Sequence, residues 1–75
     1  MPRFPEASVA CLKRLMLTCA SRDFRFNAYD IEAIMQETGL NQAQVQVWAE
    51  NFRMRYETEK DRMDFLKADS FDKVT

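Results

Sequence analysis

The chain has 75 residues, 47% hydrophobic and 31% charged, with eleven Lys and Arg against twelve Asp and Glu for a net charge of −1. That length allows one domain, near the lower limit of what folds without a disulfide or a metal. One glycine and two prolines among many Ala, Leu, Met, Gln, Glu, Lys and Arg favour helix over sheet. The apolar fraction suits a globular core, with disorder expected only at the ends. No apolar run approaches the ~18 residues that span a bilayer, and the N-terminus lacks a signal-peptide pattern. With no histidine and no Cys-x-x-Cys, a metal site is not expected.

In chain order, residues 1–7 read as an N-terminal arm. Pro2 and Pro5 oppose helix, and Arg3 is the only charged side chain of Met1–Pro5. From Pro5 or Glu6 to Ala20, Val9, Leu12, Leu15, Met16 and Cys19 repeat at helical spacing, with Lys13 and Arg14 outside the stripe. Ser8 offers a cap for a slightly later start, and Leu17 faces away from the stripe. Cys11 and Cys19 lie on this one helix, roughly 12 Å apart at the helical rise, too far for a disulfide. Both thiols are expected buried and the compartment reducing, nuclear or cytosolic. Ser21 to Phe26 is a loop whose aromatic side chains fold back onto the core.

Asn27 opens a second helix with Asp30 as capping-box partner, and Ile31, Ile34, Met35 and Thr38 form its inner face. Gly39 stands where a left-handed residue ends a helix, and Leu40 follows as its hydrophobic contact. Asn41 caps a third helix from Gln42, with Gln44 reaching back. Val45, Trp48, Ala49 and Phe52 lie on one face of it; Val47, Glu50, Asn51 and Met54 lie on another, flanked by Arg53 and Arg55. Past Tyr56 there is no Gly or Pro, and Lys60 and Asp64 form an i,i+4 pair, so the third helix is expected to continue to Lys67. It would be roughly 39 Å long and its end would project, leaving Tyr56, Met63, Phe65 and Leu66 uncovered. Residues 68–75 read as a tail or linker.

A short motif sits inside the third helix. Trp48-Ala49-Glu50-Asn51-Phe52-Arg53 resembles the Trp-Phe-x-Asn-x-Arg of homeodomains. Together with the helix, Gly-containing turn and helix before it, the resemblance covers about Val9 to Tyr56. It implies an all-α, three-helix homeodomain-like or Myb-like bundle, occupying residues 8–67, with an extended third helix. For that family it implies Trp48 as core anchor, Asn51 paired to an adenine edge and Val47 on a thymine methyl. Arg53 and Arg55 would sit on phosphates and Arg3 in the minor groove.

The departures from the family pattern fall where DNA contact would occur. Glu50 would face the negative groove, Met54 offers no hydrogen bond, and Glu57, Glu59 and Asp61 replace a basic run. Up to Leu40 the charges cancel; from Asn41 on, six basic residues meet seven acidic ones, and the pI is about 5.3. Phosphate neutralisation supplies most non-specific affinity, so this balance argues against strong autonomous DNA binding. Leu17 and Phe52 stand where the family usually has a charge pair. Either Phe52 fills the space that Ala49 and Ala20 leave, or Leu17, Phe52 and Tyr56 form an apolar surface for a second protomer, each large side chain being worth ~1.5–3 kcal/mol when buried.

The expectation is therefore a self-associating interaction module of a nuclear DNA-associated protein, a transcription factor or a double-stranded telomere-binding protein. Its interface would comprise Leu17, Phe52, Tyr56, Met63, Phe65 and Leu66. The alternative is sequence-specific binding of double-stranded DNA through Arg3, Val47, Asn51, Arg53 and Arg55. No catalytic constellation, cofactor, membrane or small-molecule substrate is expected.

Overall fold

Pro5 precedes the first turn, where a missing amide hydrogen leaves no gap in the helical ladder, and its carbonyl accepts from the Val9 amide at 3.0 Å. In a computed structural model that describes residues 4–68, this start opens the first of four helices. They are α1 (Glu6–Thr18), α2 (Ala28–Thr38), α3 (Gln42–Arg55) and α4 (Glu59–Lys67), with a 3-10 turn at Ala20–Arg22 between α1 and α2. Among the described residues there is no strand. Helix α1 thus begins within the stretch read as an arm, while Arg3 and residues 69–75 lie outside the described residues.

After α1 the backbone turns through the left-handed region twice, at Asp23 (φ 61°) and Phe24 (φ 55°). Asp tolerates this conformation; for Phe it costs about 1–2 kcal/mol. The turn places the Phe24 ring in the core, where only 3% of the residue is exposed, and that burial offsets the backbone cost. The capping pattern at the next two helices is the one expected. Asn27 accepts from the Asp30 amide at 2.8 Å while Asp30 accepts from the Asn27 amide at 3.0 Å. Asn41 and Gln44 do the same at 2.8 and 2.9 Å. Gly39 closes α2 at φ 79°, and its amide donates to the Met35 carbonyl.

The third helix does not continue to Lys67. It ends at Arg55; Tyr56 is extended (φ −114°, ψ 102°), and Thr58 caps α4 by accepting from the Asp61 amide at 3.1 Å. Helix α4 then packs against α1. The expected extended third helix is corrected to two helices, and the reason is tertiary. Leu66, with Met63 and Phe65 beside it, docks on a cluster that includes Leu17, Phe52 and Tyr56, so the apolar surface of 56–66 is covered by its own domain. Arg62 stabilises the break by donating to the Tyr56 carbonyl at 2.6 Å and the Arg53 carbonyl at 3.2 Å, both left without amide partners at the end of α3. The Lys60–Asp64 pair forms at 2.9 Å, but within a nine-residue helix.

The core has two parts. Cys11, Leu12, Ile34 and Val45 join α1, α2 and α3; Met16, Cys19, Phe24, Ala49, Phe52 and Leu66 join α1, the loop, α3 and α4. Phe26 and Trp48 pack against both parts and tie them together. Arg14 on α1 holds Glu37 on α2 through two contacts, at 2.8 and 3.1 Å. Both cysteines are free and buried, as their place on the inner side of α1 implies. No helix among the described residues is long and apolar enough to cross a membrane.

Candidate functional site

Helix α3 presents two different surfaces. Its outward face carries Val47, Glu50, Asn51, Met54 and Arg55, all exposed. Val47 at 49% and Met54 at 66% are, with Tyr29, the large apolar side chains left open to solvent among the described residues. Three of the five residues read as DNA contacts, Val47, Asn51 and Arg55, are therefore brought onto one solvent-facing strip. Arg53 is not with them. It is half-buried, and its guanidinium donates to the Phe24 carbonyl at 3.0 Å, holding the strained loop. Burial, followed by the neighbouring cations Arg25 and Arg62, pushes its pKa below the usual arginine value.

The inner side of α3 ends in an aromatic seam. Trp48 and Phe52 are stacked, with centroids 5.6 Å apart and 6° between planes; Tyr56 and Phe65 stack at 4.7 Å and 20°; Phe52 meets Tyr56 at 5.6 Å and Phe65 at 5.8 Å. Of the residues read as a protein interface, Phe52 and Leu66 are core, at 4% and 6% exposed. Leu17, Tyr56, Met63 and Phe65 are half-buried around them. Leu17 and Phe52 thus belong to one packed cluster, and the space above Ala49 is occupied. What stays open is a groove of about 220 Å³ along the seam, lined by Phe4, Trp48, Asn51, Phe52, Arg55, Tyr56 and Phe65.

Four residues shape this region without having been singled out for it from the sequence. Phe4 closes one side of the groove. Arg62 lies over the Phe24 ring at 5.2 Å as well as capping α3, and Lys13 bridges to α4 by standing over Phe65 at 4.6 Å and donating to the Ala68 carbonyl at 2.9 Å. Thr58 turns the chain; the spacing Thr58-x-x-Asp61 ahead of Met63 and Leu66 was a legible helix-start signal for α4.

Burial pushes both thiols above the ordinary cysteine value, reinforced by Glu37 at Cys11 and by Asp30 at Cys19, so neither is a ready nucleophile. Among the described residues no group of three or more His, Cys, Asp or Glu is placed to hold a metal ion. No protein-family model, curated protein or solved structure matches the chain.

Proposed function

We propose that this chain is a homeodomain-like helix-turn-helix module of a nuclear, DNA-associated protein, of the transcriptional or telomeric kind, and that it holds protein partners, first among them a second copy of itself. The observation that carries this reading is the aromatic seam of Trp48, Phe52, Tyr56 and Phe65, packed on one side and open as a groove on the other. Aromatic side chains with a polar rim, here Asn51 and Arg55, are what protein interfaces are rich in. The charges support the same reading. On α3 the outward strip pairs one cation, Arg55, with one anion, Glu50, and Arg53 is engaged by the loop, so few phosphates could be neutralised. Such a module would raise the effective concentration of sister domains that bind DNA themselves.

Sedimentation velocity over a concentration series, with and without a short duplex, tests this. The expected result is a concentration-dependent dimer whose sedimentation the duplex does not change at physiological salt; a strict monomer at high micromolar concentration overturns the self-association. A second reading, direct reading of a base edge through α3, is favoured by one observation: Val47, Asn51 and Met54 share an open face of α3. It requires duplex binding at low salt that Asn51→Ala abolishes.

A further inference from the structure

The segment Tyr56–Thr58 between α3 and α4 contains neither Gly nor Pro. The bend there is held by two devices that a straight helix would not need. Arg62 donates to the carbonyls of Arg53 and Tyr56, which in a continuous helix would accept from the amides of Glu57 and Lys60 instead. Thr58 caps the Asp61 amide, which would then be bonded within the helix. Straightening the connection therefore replaces side-chain hydrogen bonds by backbone ones and leaves no buried polar group unpaired. What it sacrifices is the docking of α4, whose Met63, Phe65 and Leu66 belong against Leu17, Phe52 and Tyr56. An α4 of nine residues is too short to be stable undocked, and the face it leaves would be apolar.

A second copy of the chain removes that loss, because its α4 presents the same side chains to the same face. We propose that two copies associate by exchanging α4, each α4 covering the Leu17 and Phe52 face of the other copy while residues 56–58 join α3 and α4 into one helix. This rests on the self-association proposed above and specifies its mode. The contacts across the dimer are those already seen within one copy: Leu66 in the cluster, Lys13 on the Ala68 carbonyl and over the Phe65 ring. The exchanged surfaces are Leu17 and Phe52 on one side and Met63, Phe65 and Leu66 on the other.

Two variants of the full chain test the exchange. In Lys13→Cys/Ala68→Cys a short bismaleimide bridges α1 to whichever α4 covers it, and native Cys11 and Cys19, at most 1% exposed, do not compete. Exchange gives covalent dimers on a denaturing gel, at concentrations where the uncross-linked protein sediments as a dimer. A dimer by sedimentation whose cross-link is only internal overturns the exchange and leaves self-association standing, whereas a monomer by both measures overturns both. The second variant is Glu57→Pro. Tyr56 is already extended, as the residue before a proline prefers, and a proline at 57 blocks a continuous helix. The variant is expected to keep its helical circular dichroism and thermal midpoint and to lose the dimer; an unchanged dimer fraction overturns the exchange.

Discussion

Arg53 and Asn51 lie two positions apart on α3 and do different work. Arg53 ties α3 to the left-handed turn at Asp23 and Phe24, through a charge-assisted hydrogen bond of 3.0 Å to the Phe24 carbonyl. Removing it as Arg53→Met is expected to destabilise the fold by about 1–3 kcal/mol in urea unfolding, since a half-buried carbonyl loses its charged donor. Asn51→Ala, on an exposed face, is expected to move stability by no more than about 0.5 kcal/mol. An equal loss for both variants would show that Arg53 is a surface group. Asp30 gives the molecule an acid-sensitive point. Burial alone would raise its pKa, but the Asn27 amide, the Arg22 guanidinium and the Cys19 thiol outweigh it and hold the carboxyl below its ordinary 3.8. A depressed carboxyl contributes stability that is present above its unfolded pKa and is lost as pH falls through the folded one. The stability of the wild type is thus expected to fall below about pH 4, and that of Asp30→Asn, lower at neutral pH, to fall less steeply there. Thermal midpoints measured from pH 7 to pH 2 check this.

Helix α2 carries both its boundaries in its own sequence, and α3 its start. Asn27 with Asp30, Asn41 with Gln44, and Gly39 between them act within a few residues, and each forms as the residue types dictate. Gly39→Ala meets no steric obstacle, yet φ 79° disfavours any side chain, so a loss of about 1 kcal/mol is expected in chemical unfolding. Helix α4 is of another kind. Its start at Thr58 is local, but whether the chain bends there at all depends on Arg62 reaching back to α3 and on Leu66 finding Leu17 and Phe52. Leu66→Ala is expected to cost about 2–5 kcal/mol, as for a large-to-small change at a buried site, while Arg62→Ala is expected to act chiefly on α4. Hydrogen exchange reads the difference. In Arg62→Ala the amides of Glu59 to Lys67 should exchange faster while those of α1 and α2 keep their protection.

At the scale of the molecule, the proposed role in protein contact rests on a balanced charge and an aromatic groove on the α3–α4 side. The near-neutral strip of α3 has a measurable consequence. If any duplex binding occurs, its salt dependence should be shallow, about one logarithmic unit per phosphate contacted, since Arg55 is the one exposed cation of α3. A slope reflecting many contacts, from fluorescence anisotropy in a salt series, would return DNA binding to first place.

Most of this architecture was readable from the chain alone: all-helical class, the ends of α2 and the start of α3, the buried thiols, and the inner faces through Leu12, Ile34 and Val45. These follow from periodicity and capping, whose physics operates over one or two turns of helix. The candidate site was readable only in part. Val47, Asn51 and Arg55 lie together on the exposed face that their spacing implies, because position on a helix decides orientation. The occupation of Arg53 by a loop carbonyl, the folding back of α4, and the burial of Phe52 and Leu66 were decided by the tertiary structure. They arise between residues far apart in the chain, Phe24 with Arg53 and Leu17 with Leu66, and there the free energy of covering apolar surface decides how α4 is placed.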